Sequence, residues 1–190
     1  MQLAQKTDSI TVEDYLTGEE LSEIRHEYLG GAVYAMAGAS EEHNFISGNV
    51  FAALRHYLRG GACRAFIGDV KIRLLIGDED IFYYPDVMVC CDPRDTDRYF
   101  KRHPRVIIEV LSETTERTDR REKFLSYTRL ESLEEYVLVA QDRMEVTVYR
   151  RAGHWAPEVL TKPDQVVALP SLKFEVAVAT LYENVALPRR

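Results

Sequence analysis

Apolar positions recur along the chain with two periods. Phe45, Val50, Leu54 and Tyr57/Leu58 fall on one helical stripe. Ser40 as N-cap, Glu41 and Glu42 in the first turn, and Gly60-Gly61 beyond the end bound that helix to residues 40–59. Thr11-Val12-Glu13-Asp14 reads as a capping box opening a short helix to about Glu20. The other runs are shorter and rich in β-branched residues. Residues 23–29 and 32–36 flank Gly30-Gly31 and predict a tight hairpin. Residues 63–67, 70–76 and 81–91 read as strands, the last following a turn at Gly77-Asp78-Glu79-Asp80. Pro85 has no N–H to give a ladder, so the last run is expected at a sheet edge or at a strand start.

A polar stretch, 92–104, precedes the most apolar run, 106–111, which reads as a strand buried on both faces. Ser112 or Thr115 is placed to cap a following helix that reaches about Leu130, with Phe124, Tyr127 and Leu130 inward. Residues 135–140 and 144–150 predict a hairpin across Gln141-Asp142-Arg143; 155–160 adds a strand and 180–185 a short terminal helix. This order predicts an α+β (α/β) protein with a mixed sheet flanked by helices, in one domain covering residues 1–190.

Two of the strands carry a carboxylate inside an apolar run. Glu109 sits in the middle of 106–111 and Asp86 follows Pro85. A buried carboxylate is costly unless a cation compensates it. Two carboxylates on neighbouring strands suit a hard divalent ion such as Mg²⁺ or Mn²⁺, which keeps waters and takes substrate phosphate oxygens. Such an ion supports phosphodiester hydrolysis, and a nearby lysine neutralises developing charge. Glu109 shares a face with Ile107 and Leu111, and Asp86 with Met88 and Cys90, so the two meet only if the strands are neighbours with matching faces.

Charge and cysteine usage change this picture little. The net charge of −7 argues against a nonspecific nucleic-acid binder. It is uneven: residues 94–129 carry ten Lys/Arg against seven Asp/Glu, whereas residues 1–30 carry two against seven. Cys63, Cys90 and Cys91, odd in number and in apolar runs, suggest reduced core thiols and a cytoplasmic setting. A polar start with no apolar core gives no reason to expect secretion, and no run is long enough to span a membrane.

The ordered set Tyr84-Pro85-Asp86, Ile108-Glu109-Val110-Leu111-Ser112, Asp119 to Lys123 with Tyr127, and Glu135-Tyr136-Val137-Leu138-Val139 resembles the Uma2 family (DUF820) of the PD-(D/E)xK nuclease superfamily. Arg25-His26-Glu27-Tyr28, Ala37-Gly38-Ala39-Ser40 with His43, and Val148-Tyr149-Arg150 with Trp155 extend the likeness over roughly residues 12–182. The resemblance implies a restriction-endonuclease-like core with an N-terminal hairpin and metal-dependent endonuclease activity on DNA. Asp86 and Glu109 match the metal-binding acids and Lys123 the lysine, carried on the following helix. The superfamily's usual lysine position holds Leu111 instead; Glu113 replaces a usual proline and Ala140 a frequent aspartate.

Each residue also has a plainer reading. Glu109 and Lys123 could form a buried ion pair, Asp86 a turn contact, and Lys123 a helix pair with Asp119. Further candidates are Glu27 as another carboxylate, His43 on the first turn of its helix, and Asp69 with Lys71, an acid-x-lysine spacing on a strand. Tyr83, Tyr84 and Tyr127 read as core. The rival function is an inactive nucleic-acid-binding or regulatory module on a nuclease scaffold. A homodimer is compatible with so short a chain gripping a duplex.

Overall fold

The structure, a computed structural model, describes residues 9–112 and 115–188. Thr11 caps helix α1 (Val12–Leu21) by accepting from Asp14 N–H, and Ser40 caps α2 (Glu41–Tyr57) by accepting from His43 N–H. The N-terminal hairpin is β1 (His26–Leu29) and β2 (Ala32–Ala35). Its turn uses Gly30 at φ 54° and Gly31 at φ 101°, values that only glycine adopts without strain.

The central strands are β3 (Arg64–Ile67), β4 (Lys71–Ile76), β5 (Glu79–Tyr83), β6 (Val87–Cys90), β7 (Phe100–Lys101) and β8 (Pro104–Leu111). A broken helix follows: α3 (Glu116–Thr118), a π-helical turn at Asp119–Lys123, and α4 (Phe124–Tyr127). Then come β9 (Glu135–Ala140), β10 (Val146–Arg150), β11 (Pro157–Leu160), β12 (Val166–Leu169), β13 (Phe174–Ala177) and α5 (Val178–Leu181).

The fold is α+β with mixed sheets, as expected, and the strands divide into two large ones. One has the order β2-β1-β5-β4-β7, the other β11-β10-β9-β8-β6-β3, and β12-β13 stand as a separate pair. Residues 81–91 are accordingly two strands. The chain leaves the five-stranded sheet after Tyr83 and enters the six-stranded sheet at Val87, turning at Tyr84-Pro85-Asp86. Pro85 interrupts the ladder at the point where the change of sheet is needed. Likewise β3 and β4 do not pair with each other across Gly68-Asp69; they lie in different sheets.

Ile72, Leu74, Ile81 and Tyr83 from the first sheet pack on Met88, Ile107, Leu111, Tyr136 and Leu138 from the second. The far face of the six-stranded sheet, with Val87, Val89, Val106, Ile108 and Val110, is covered by α2 and by the β12-β13 segment. That explains the unbroken apolar run of β8, since both its faces are covered. Each fully buried valine or isoleucine there contributes on the order of 1.5–3 kcal/mol. The outer face of the five-stranded sheet holds Tyr15 of α1 against Tyr28, Phe82 and Phe100. The β12-β13 pair is not among the elements expected from the sequence, although Phe174-Glu175-Val176 alternates as a half-buried strand does.

The expectation of reduced thiols is corrected for two of the three cysteines. Arg64 pairs with Cys90, so Cys63 and Cys91 stand opposite each other one step beyond the β3-β6 ladder and form a disulfide. The thiol argument for a cytoplasmic setting falls with it. Cys90 alone is free, and burial pushes its thiol up to about 12. Among the described residues no helix is long and apolar enough to cross a membrane.

Candidate active site

β6 and β8 are antiparallel neighbours in which Val87 pairs with Ile108 and Met88 with Ile107. Directly opposed residues share a face, so this register puts Asp86 and Glu109 together one step beyond the ladder. There the strands exchange backbone-to-side-chain bonds. Asp86 N–H donates to Glu109 Oε2 at 3.2 Å, and Val110 N–H donates to Asp86 Oδ2 at 2.7 Å. Each carboxylate is held by an amide of the other's strand.

The broken helix supplies the cation. Lys123 Nζ lies 3.4 Å from Glu109 Oε1, 3.3 Å from Asp119 Oδ1 and 3.2 Å from Glu27 Oε1. The π-helical turn that contains Asp119 and Lys123 buries both of them. Insertions of this kind recur at functional sites. Tyr136 hydroxyl donates to the Asp119 carbonyl at 3.0 Å, and Tyr127 hydroxyl donates to Glu109 Oε1 at 3.0 Å. Glu27 arrives from the other sheet, on β1. His43, on the first turn of α2, places Nε2 3.2 Å from Asp86 Oδ2.

Exposure falls in one direction across the cluster. The Asp86 side chain is 22 % exposed, Glu27 16 % and His43 15 %, whereas Glu109 and Asp119 are each 3 % exposed. Solvent therefore reaches the group from the Asp86–His43–Glu27 side.

Four carboxylates face one ammonium, and the imbalance shows in their protonation. Burial drives the Glu109 carboxyl well above its usual range; Lys123 opposes this, and the Asp119 and Asp86 charges reinforce it. Asp119 is raised, chiefly by burial. For Lys123 burial alone would favour the neutral amine, but Glu109, Glu27, Asp119 and Asp86 outweigh it and hold the ammonium well above its usual range. Burial lowers His43, but the hydrogen bond and charge of Asp86 leave it raised overall.

Oxygens of Glu27 (Oε1) and Asp119 (Oδ1) are buried against the Lys123 ammonium, at 3.2 and 3.3 Å, without a hydrogen bond of good geometry. Asp86 Oδ1 receives no hydrogen bond from the described residues. The donor set therefore fits a divalent ion: hard oxygens, an excess of negative charge, and one carboxylate oxygen open towards solvent. Among the described residues no three His, Cys, Asp or Glu are already gathered in metal-holding geometry. A divalent ion here would draw on the two carboxylates Asp86 and Glu109 alone among the described residues.

The structure thus brings together Asp86, Glu109, Lys123, Glu27 and His43. It places the other two candidates elsewhere. Asp69 is exposed and pairs with Arg25 at 3.0 Å. Lys71 is buried and donates to Tyr84 hydroxyl at 3.1 Å; burial lowers its pKa against the pull of Glu19. Leu111 packs between the sheets and Ala140 is buried, while Glu113 lies outside the described residues. Asp119 and Tyr127 are the residues whose place the sequence reading understated. Both are four positions from Lys123, the spacing of helix neighbours, which was the available signal.

A chain of this topology, with acids from two strands and a lysine on the crossover helix, has the fold of a nuclease-like α+β protein. A solved structure described as "a putative nuclease belonging to DUF820" from Anabaena variabilis superposes with a TM-score of 0.75 over 92 % of this chain and 98 % of that one, at 22 % identity. The model of the Uma2 family, described as "Putative restriction endonuclease", matches residues 12–180, and the chain belongs to that family. Two relatives from Synechocystis sp. are the uncharacterized proteins slr1290 and sll1609. The first is 34 % identical over 93 % of each chain; the second is 31 % identical over 80 % of this chain and 87 % of its own.

Proposed function

We propose that this chain is a metal-dependent endonuclease that hydrolyses phosphodiester bonds in DNA, with Asp86 and Glu109 as ligands of Mg²⁺ or Mn²⁺ and Lys123 assisting. The observation that carries this reading is the meeting of Asp86 and Glu109, each held by an amide of the other's strand, beside the Lys123 ammonium. A divalent ion in such a site acidifies a bound water and offsets charge on the phosphate oxygens.

The remaining work falls to the protein. Lys123 opposes the burial that raises the Glu109 carboxyl, and so favours its ionised form. Tyr127 fixes Oε1 of Glu109 on the lysine side, leaving Oε2 on the Asp86 side. His43 and Val110 N–H fix Oδ2 of Asp86, which leaves Oδ1 for a ligand. On this reading residues 1–190 act as one domain, and two copies grip a duplex.

One observation favours a second reading, a module that binds without turnover. The Lys123 ammonium is enclosed by three carboxylates and is itself only 8 % exposed, so it faces the protein more than a substrate. Calorimetric titration of Mn²⁺ into wild type and Asp86→Ala, with a plasmid-nicking assay on both, separates the two. Wild type is expected to bind Mn²⁺ and nick, and Asp86→Ala to bind more than about 100-fold more weakly, beyond the loss typical of an outer-shell partner. Metal binding and DNA binding without nicking would support the second reading. Absence of Mn²⁺ binding by wild type would sink the metal-dependent one.

A further inference from the structure

Lys71 lies outside the carboxylate cluster, yet it belongs to a second buried polar network that includes Tyr84, in the same turn as Asp86. Its ammonium donates to Tyr84 hydroxyl at 3.1 Å and sits 5.0 Å from the centre of the Tyr84 ring. Tyr84 hydroxyl donates to Glu19 Oε2 at 2.6 Å, and Glu19 Oε1 lies 2.7 Å from His26 Nδ1. Lys71 and Tyr84 are 4 % and 5 % exposed and the Glu19 side chain 5 %, so the network is a buried, charge-assisted chain of the strong kind. It ties α1 to the first residue of β4 and to the residue that precedes Pro85.

Only Pro85 separates Tyr84 from Asp86, and proline fixes its own φ. The backbone of Asp86 is held on both sides: its N–H by Glu109 and its carbonyl by Gly68 N–H at 3.0 Å. The turn is therefore short and stiff, and a shift at Tyr84 moves Asp86. Metal ligands tolerate little such movement; a site loosened by about 0.5 Å already loses function.

Resting on the nuclease reading above, we propose that Lys71, Tyr84 and Glu19 are positioning residues that hold Asp86 in its metal-binding place. Lys71 then contributes to the reaction through Tyr84 and does not touch the substrate. The simpler alternative is that the network only fastens α1 to the sheet.

The test compares Tyr84→Phe with Tyr28→Phe. The first removes the hydroxyl bonds to Lys71 and to Glu19. The second removes a single hydroxyl bond of the same region, since Tyr28 hydroxyl donates to the Ile10 carbonyl at 2.8 Å. Mn²⁺ affinity is measured by calorimetry, melting by circular dichroism, and nicking at limiting and saturating Mn²⁺. Tyr84→Phe is expected to raise the Mn²⁺ dissociation constant about tenfold, the usual loss for an outer-shell partner, with nicking recovered at saturating Mn²⁺. Tyr28→Phe is expected to lower the melting temperature and leave the dissociation constant unchanged. Equal Mn²⁺ affinity in Tyr84→Phe and wild type overturns the positioning role while leaving the nuclease reading intact. Wild type that binds no Mn²⁺ overturns both. Should Tyr84→Phe fail to fold, Lys71→Met gives the same comparison, with the same tenfold weakening expected and unchanged affinity overturning the role.

Discussion

Glu109→Gln is expected to abolish metal-dependent nicking while leaving the protein folded. Two effects act on stability and nearly cancel. The amide removes one of four crowded carboxylates, and Lys123 keeps Glu27 and Asp119 as partners. Against that, its NH₂ must face either Asp86 N–H or the Tyr127–Lys123 side, where donors already converge. One lost hydrogen bond costs about 1 kcal/mol, so the net change at neutral pH is expected within about that range. Nicking is expected to fall by at least about 100-fold, the loss seen when a single preorganised electrostatic group is removed.

The pH dependence gives a sharper sign. Glu109 is raised in the folded protein, so the native state holds more protons than the unfolded chain between the ordinary glutamate value of about 4.3 and the raised value. Stability then falls as pH rises through that window. In chelator, wild type should lose stability relative to Glu109→Gln from about pH 4.3 upward. Thermal melts of both proteins across that range check it. A constant difference between the two curves would mean that Glu109 titrates normally.

The second large effect is expected for Lys123→Met. It leaves Glu27, Glu109 and Asp119 buried around an apolar side chain, and removing one partner of a buried ion pair costs about 3–5 kcal/mol. Mn²⁺ should return part of the lost stability by binding the native state alone. Nicking is expected to fall about 10²–10³-fold even at saturating Mn²⁺. Lys71→Met, by contrast, should nick near the wild-type rate once Mn²⁺ is saturating. If Lys71→Met is the variant that stays inactive at saturating metal, Lys123 does not assist the reaction and the Asp69-Val70-Lys71 strand needs a new account.

Asp86 and Glu109 were legible in the sequence because each broke a local rule, whereas Lys123 was reached through the family resemblance. Glu109 interrupts an apolar strand and Asp86 follows a proline in another, while the spacing of Lys123 from Asp119 spoke equally for a plain helix pair. The alternation of 106–111 also predicted which faces had to match, and the Met88–Ile107 pairing supplies that match. The separation into two sheets was hidden for a physical reason. Apart from Pro85-Asp86, residues 81–91 are apolar because both halves are buried, and periodicity does not reveal which sheet buries them. Lys71 and Lys123 could not be ranked by spacing alone, since proximity to Glu109 depends on how the helix crosses the sheet. The disulfide was missed because Cys63 and Cys91 meet only through the β3-β6 register.

The lysine rides on the connection between β8 and β9, two parallel strands, while its carboxylates come from a hairpin, a change of sheet, a strand and the connection itself. Such a group assembles only when contacts remote in sequence have closed, which happens late in folding. The electrostatics of the site are then nearly absent from the rate-limiting step for folding and act as a clasp on the finished protein. Lys123→Met should accordingly speed unfolding in stopped-flow experiments and leave the folding rate almost unchanged; slower folding would place the cluster in the nucleus instead.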